Sequence, residues 1–272
     1  MSVILILKLI LVPALIAGIT LAGRRWGPAV AGWLSAFPVV SGPILLFMAL
    51  EQGPAFTATA ATATLSAVLA ILAFGIAYAW AATRHTWPIS LITGLVAYAI
   101  AVAGLSLSTP SLPMFAPLVL AALVMAPRLY PKPPTSSAAQ PAHAKPVNDI
   151  ALRMLAGALL VLLVTHFAPL MGPGLSGVLA MFPVMASVLV VFSHRHVGAS
   201  FAIQMLRGMV LGYYAFAAFC IVLALTLPTA GIASAFVLAL AAAVSVQVMS
   251  RRFAPAANAC IASTSKLMQD VF

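Results

Sequence analysis

Arg207 is the residue whose type and position point most directly to chemistry. It lies inside the apolar stretch from Ser200 to Leu227, and no Asp or Glu falls inside any such stretch to neutralise it. An ionisable group in that setting predicts a functional role, and a guanidinium can hold a carboxylate or a phosphate through two parallel hydrogen bonds. The alternative is structural: Arg207 binds backbone carbonyls that a helix break at Pro183 leaves free.

Three hydroxyl-bearing residues lie on one face of a predicted helix in the first half of the chain. Thr59, Thr62 and Ser66 are spaced i, i+3 and i+7, so they share one side of a helix. A shift of 145 residues carries Thr59 to Gln204 and Thr62 to Arg207, which makes equivalent faces polar in both halves. The alternative is that each hydroxyl only bonds a carbonyl of its own preceding turn or joins neighbouring helices.

Two similar segments interrupt long apolar stretches. Ser35 to Pro43 reads Ser-Ala-Phe-Pro-Val-Val-Ser-Gly-Pro, and Ala180 to Ser187 reads Ala-Met-Phe-Pro-Val-Met-Ala-Ser. A proline inside a helix removes one backbone donor and crowds the carbonyl four residues earlier, so each segment predicts a break halfway across. One such break would most simply shape packing, whereas the repetition favours a binding site.

The remaining titratable residues predict little chemistry. Glu51 and Asp149 lie at the ends of apolar stretches, and His166 lies near the end of the sixth predicted span with no assigned partner. His194 and His196 flank Arg195 in a predicted cytoplasmic loop, where we expect solvated charge rather than a metal site. The chain has no Gly-rich phosphate loop, no paired catalytic carboxylates and no metal-ligand spacing, and its two cysteines suggest no disulfide framework. We therefore expect no catalytic residues, no metal and no cofactor.

Composition identifies the class of protein. Hydrophobic residues make up 64% of the 272 residues and charged residues 6%, which excludes a soluble globular domain. The net charge of +10 is what the excess of cytoplasmic Lys and Arg in membrane proteins produces, so nucleic acid is not the expected partner. The sequence predicts an all-α, polytopic membrane protein whose surroundings are the lipid bilayer.

Apolar length and turn punctuation divide the chain into about nine membrane spans. The predicted spans are Val3 to Ala22, Ala29 to Leu50, Phe56 to Ala82, Trp87 to Leu107, Pro113 to Met125, Ile150 to Phe167, Gly174 to Ser193, Ser200 to Leu227 and Gly231 to Met249. With the N-terminus outside and the C-terminus inside, nearly all basic residues fall on the cytoplasmic side.

The two halves align without a gap at the offset of 145 that separates Phe182 from Phe37. The offset pairs Gly27-Pro28 with Gly172-Pro173, Gly53 with Gly198, and Lys8 with Arg153. We interpret this as a duplication of a four-span unit. Because one additional span separates the two units, the second enters the membrane from the opposite side, and the repeats have inverted topology.

This interpretation divides the chain into five parts. They are a first repeat (1–108), a connecting span (109–130), a Pro-rich cytoplasmic linker (131–148), a second repeat (149–250) and a cytoplasmic tail (251–272).

The segment from Gly177 to Ala186, with Ala202 to Tyr214 after it, resembles the GlpM family of small bacterial inner-membrane proteins. The likeness depends on the Gly-x-x-x-x-Phe-Pro pattern, and Gly32 to Pro43 is similar to a divergent second copy. The resemblance implies a location in the bacterial inner membrane and, for this chain, a fused double unit. It carries over no binding residues.

The leading hypothesis is a secondary transporter or exporter of a small polar or anionic solute, possibly lipid-linked, with a site near the membrane midplane. The predicted substrate-binding residues are Phe37, Pro38, Ser41, Thr59, Thr62, Phe182, Pro183, Ser187, Gln204 and Arg207. The alternatives are a non-transporting scaffold or assembly factor for an envelope complex, and a lipid-processing enzyme. The oligomeric state is not predicted.

Overall fold

The computed structural model describes residues 3–38, 40–109, 111–132, 149–167 and 182–250, and ten α-helices follow one another there. They are α1 (Val3–Trp26), α2 (Pro28–Ser35), α3 (Ser41–Gln52), α4 (Pro54–Ala82), α5 (Trp87–Ser106), α6 (Leu112–Leu129), α7 (Ile150–Phe167), α8 (Val184–His196), α9 (Ala199–Ala230) and α10 (Ile232–Ser250). No β-strand occurs in these ranges, so the predicted all-α class is confirmed.

Six of the described helices are long and apolar enough to cross a membrane: α1, α4, α5, α6, α9 and α10. A helix of about 20 apolar residues matches the thickness of the hydrocarbon core, and only intrahelical hydrogen bonds satisfy its backbone there. The protein is therefore an integral membrane protein that crosses the bilayer several times. Several observed helix ends agree with the predicted ends, as at Ala82 in α4 and Trp87 in α5.

The second predicted span is broken, as its proline predicts. Its first part, α2, ends at Ser35, and α3 begins only at Ser41, after Phe37 and Pro38. The later Phe-Pro segment is similar in the part that the structure describes, because α8 begins directly after Pro183.

The two longest helices, α4 and α9, pack against each other at the centre. Short α2 lies against α9 with almost no space between the backbones. A side chain at Gly32 would meet the carbonyl oxygen of Met205, and one at Gly208 would meet the carbonyl oxygen of Ala29. Small residues permit this approach, which is how membrane helices gain contact in the absence of a strong hydrophobic driving force.

The other helices surround this centre. α5 packs on α4, α10 packs on α9, and α6 contacts both α4 and α9. α1 packs against α7 and α2, while α8 contacts α7, α9 and α5. The fifth predicted span, the shortest of the nine, is an 18-residue helix whose Val119, Leu123 and Ala126 are fully buried.

Some predictions lie outside the described residues. These are the linker from 133 to 148, the start of the seventh span at Gly174 with the preceding Gly172-Pro173, and the tail from 251 to 272.

Candidate functional site

The break at Phe37 and Pro38 leaves backbone groups that distant residues satisfy. The amide of Phe37 turns back to the carbonyl of Leu34 at 3.3 Å, so the carbonyl of Trp33 loses its usual helical donor. The Nε2 of Gln247 donates to that carbonyl at 3.0 Å. The indole Nε1 of Trp33 donates to the hydroxyl of Ser250 at 2.8 Å. The end of α10 thus holds the end of α2.

The two breaks have different neighbours. Phe37 faces a groove shared with α1 and α10, where Val244 and Gln247 also lie. The ring of Phe182 instead meets the edge of the ring of Tyr98 on α5, with 5.9 Å between their centroids. Each break therefore packs on a helix of the other half of the chain.

Two serines directly after the breaks have unsatisfied hydroxyls. Ser41 begins α3 and Ser187 lies in the first turn of α8. Both hydroxyl oxygens are buried and have no hydrogen-bond partner in the part of the chain that the structure describes. A buried hydroxyl without a partner costs about 1–3 kcal/mol, so a polar ligand or water that binds it is favoured.

The three residues predicted to form a hydroxyl face on α4 do not share one environment. Thr59 is exposed, whereas Thr62 and Ser66 are buried. Their hydroxyls donate to the carbonyls of Ala55, Ala58 and Ala63 in their own preceding turns, at 3.3, 3.1 and 2.8 Å. This is the structural alternative considered from the sequence. The equivalent of Thr59 in the second half, Gln204, is partly buried on α9.

Arg207 binds a backbone carbonyl on another helix. Its Nη2 donates to the carbonyl of Pro127 at 3.3 Å, near the end of α6. The helical donor for that carbonyl would be the amide of residue 131, which is proline and has none. Arg207 therefore supplies a donor to the last turn of α6, while the carbonyls of residues 179–181, before Pro183, lie outside the described residues.

The densest group of charges lies where α1 ends and α7 begins, and sequence reasoning missed it. The carboxylate of Asp149, 4% exposed, accepts from Arg24 Nη2 at 2.7 Å and from Arg153 Nε and Nη2, both at 2.8 Å. Arg153 is 6% exposed, while Arg24 at 34% reaches solvent. We call these three residues the Asp149 network.

The end of α8 completes the surroundings of the network. Arg153 Nη1 lies 3.5 Å from the hydroxyl of Ser193, and its guanidinium stacks over the ring of Phe192 at 5.3 Å. His196 Nε2 is 3.8 Å from Asp149 Oδ2, close enough for charge attraction but beyond hydrogen-bond distance. Asp149 is buried, and His194 and His196, which were expected in a solvated loop, are partly buried at the end of α8.

The electrostatic balance keeps Asp149 ionised. Burial alone would raise the pKa of its carboxyl, but the hydrogen bond and charge of Arg153, with the charges of Arg24 and His196, outweigh burial and lower it. Two guanidinium groups share one carboxylate, so the network carries net positive charge. A sequence signal existed, because Asp149 and Arg153 are spaced i, i+4 at the start of an apolar stretch.

A second contact joins the same ends of the helices. The hydroxyl of Tyr78, fully buried on α4, lies 3.1 Å from Nδ1 of His194 on α8. The guanidinium of Arg195 lies over the ring of Trp87 at the start of α5. Within the described ranges, no three His, Cys, Asp or Glu side chains are grouped as a metal would require.

Comparisons with known proteins found no relative of this chain. No family model matches the chain, and no curated protein or solved structure matches it either. The resemblance to the GlpM family stays a prediction.

Proposed function

We propose that this membrane protein is a secondary transporter or exporter of a small polar or anionic solute. In this proposal it has nine spans, with the N-terminus outside and the C-terminus inside, and two inverted four-span repeats joined by α6. The observation that carries the proposal is that α3 and α8 begin at the two Phe-Pro segments, each with a buried serine hydroxyl that has no partner among the described residues, three residues after Pro38 and four after Pro183. The following observations support it.

Equivalent helices begin at the repeat distance. α4 begins at Pro54 and α9 at Ala199, and α5 begins at Trp87 and α10 at Ile232, each pair 145 residues apart. The residues before the first pair, Gly53 and Gly198, both have positive φ, at 89° and 116°. That conformation favours glycine, so the turn geometry as well as the sequence supports a duplication.

The packing has the reciprocity that a twofold axis requires. The equivalent helices α1 and α7 pack on each other, and so do α4 and α9. The broken helix of each half contacts the last helix of the other half, as α3 with α10 and α8 with α5. Inverted repeats that exchange contacts in this way are a common architecture of transporters.

The first turns after the breaks favour an anionic or polar solute. α3 and α8 both begin in the middle of predicted spans, and the start of a helix carries partial positive charge and free backbone donors. Ser41 and Ser187 add hydroxyls that lack a partner among the described residues. Thr59 and Arg207 are no longer required for this site, since each has a local structural role.

The Asp149 network suits a gate at the cytoplasmic end. It links Arg24, at the end of α1, to Asp149 and Arg153, at the beginning of the second repeat. In the proposed repeat α1 and α7 are equivalent helices, so the ion pairs join these two helices at one end only. Ion pairs of this kind open when the helices separate, at a cost that solute binding would have to offset.

Cysteine accessibility tests the proposal without a known substrate. In a protein with Cys220→Ala and Cys260→Ser, the variants Ser41→Cys and Ser187→Cys are treated with small charged methanethiosulfonates in intact cells and in inside-out vesicles. We expect both variants to react, faster with the anionic sulfonate reagent than with the trimethylammonium reagent. Solutes that slow the reaction then identify the substrate among phosphates and carboxylates.

The matched control is Ser90→Cys. Ser90 is fully buried near the start of α5, and its hydroxyl is satisfied by the carbonyl of Thr86 at 3.0 Å. A transporter requires Ser41→Cys and Ser187→Cys to react much faster than this control. If all three variants are equally unreactive from both sides, the breaks serve packing only, and a membrane scaffold becomes the better explanation.

A further inference from the structure

The groove that Phe37 faces lies on the membrane-facing surface and includes neither Ser41 nor Ser187. It lies between α1, α2 and α10 and has a volume of about 430 Å³, within the size range of small-molecule sites. Its walls are apolar, apart from Gln247 at the end nearer the α10 terminus. At its rim, Val244 and Val248 are 46% and 59% exposed, so it opens where membrane-spanning helices meet lipid.

The groove has empty space beside α1 that suits an elongated apolar molecule. A side chain built at Gly18 on α1 would touch nothing within 4 Å, although one at Gly23 on the same helix would meet Ala31 at 3.0 Å. Water does not favour an apolar cavity of this kind, and an empty one loses the dispersion contacts of its walls. A hydrocarbon chain from the surrounding bilayer supplies those contacts.

One end of the groove is polar and the adjoining helix ends are cationic. Gln247 donates through Nε2 to the carbonyl of Trp33, so its Oε1 is the acceptor left over, and this oxygen has no partner within the described ranges. Gln247 as a whole is only 7% exposed. Beyond it, α1 ends with Arg24 and exposed Arg25, and the sequence places Arg251 and Arg252 directly after α10.

We propose that the groove binds one acyl chain of an anionic phospholipid from the cytoplasmic leaflet. The chain occupies the space beside Gly18, and the phosphate-bearing headgroup lies near Arg25, about 10 Å further along α1 at 1.5 Å per residue. Clusters of arginine at the cytoplasmic ends of membrane helices attract anionic headgroups. This site does not include Ser41 or Ser187, but its assignment to the cytoplasmic leaflet rests on the orientation given in the proposed function.

Quenching of Trp33 by brominated lipids tests the site. Trp33 is buried beside the groove, so lipid outside the groove should quench it poorly. In a protein with Trp26→Phe, Trp80→Phe and Trp87→Phe, we expect stronger quenching in vesicles of chain-brominated phosphatidylglycerol than in vesicles of chain-brominated phosphatidylcholine.

Two variants separate the chain from the headgroup. At Gly18 an added Cβ meets nothing within 4 Å, so Gly18→Leu introduces side-chain volume beside the groove and should remove most of the quenching by either lipid. Arg25→Gln should reduce the preference for phosphatidylglycerol and leave the quenching by phosphatidylcholine unchanged. The matched control is Gly104→Leu on α5, where an added side chain likewise touches nothing within 4 Å, and quenching should be unaffected.

Three outcomes would overturn the proposal. Quenching that Gly18→Leu leaves unchanged would mean that Trp33 senses only lipid outside the groove. Equal quenching by the two lipids would remove the role of the anionic headgroup. A large rise in quenching after truncation behind Arg252 would mean that the chain's own tail, and not a lipid, occupies the groove.

Discussion

Neutralising Asp149 should destabilise the protein far more than neutralising the arginine that pairs with it at the surface. Asp149→Asn keeps the size of the side chain but removes the charge that holds Arg153, which is 6% exposed. Breaking a buried ion pair on one side costs about 3–5 kcal/mol, because the other charge stays buried without compensation. That corresponds to roughly a hundredfold to several-thousandfold fall in the ratio of folded to unfolded protein.

Arg24→Gln provides the internal comparison. Arg24 is 34% exposed and its contribution is screened, so its loss should cost only about 1 kcal/mol or less while Arg153 still holds Asp149. In thermal unfolding of the purified protein in detergent, Asp149→Asn should lower Tm by roughly 6–20 °C, and Arg24→Gln by a few degrees at most. Glu51→Gln, an exposed carboxylate at the end of α3, is the control and should leave Tm unchanged.

A double variant distinguishes an unpaired charge from a general packing defect. Combining Asp149→Asn with Arg153→Met removes both charges, and replacing a whole buried pair with uncharged groups is often close to neutral. We therefore expect the double variant to recover most of the lost Tm. Similar Tm losses in Asp149→Asn and Arg24→Gln, or no recovery in the double variant, would refute the reasoning.

Three further predictions follow from the same structure. The pKa of Asp149 is lower in the folded protein than its ordinary 3.8. The stability that its ionisation contributes is therefore complete above pH 3.8 and is lost as the pH falls further. Unfolding experiments at pH 7, 5 and 3 would measure this loss. Gly32→Ala should lower the free energy of unfolding by about 1–3 kcal/mol or more, because it forces α2 away from α9. Gly18→Ala, with open space beside it, should be tolerated. Comparable Tm values for the two variants would contradict the contact between α2 and α9. Arg207→Met should destabilise by at most about 1 kcal/mol, because Pro127 is exposed and its carbonyl is not left buried without a donor. Solute uptake per folded molecule should persist, whereas loss of uptake at normal stability would indicate a binding role for Arg207.

Local physical chemistry in the sequence predicted the helices and their interruption. The length of apolar runs predicts membrane helices, and the missing donor of Pro38 predicts the gap between α2 and α3 at the observed place. The 145-residue offset also agrees with two pairs of helix starts, Pro54 with Ala199 and Trp87 with Ile232. The first pair follows the same turn residue, Gly53 and Gly198, because positive φ is a local requirement.

The roles of charged and polar side chains depended on partners far along the chain. Asp149 meets Arg24 across 125 residues, and Gln247 meets Trp33 across 214, and no local pattern specifies either pair. Arg207 was assigned to a ligand because its acceptor, the carbonyl of Pro127, lies on another helix. The sequence alone determined which segments are apolar enough to enter a membrane, since that depends on each segment's own transfer from water to lipid. The tertiary structure decided which charges are buried together, since burial and pairing exist only after the helices pack.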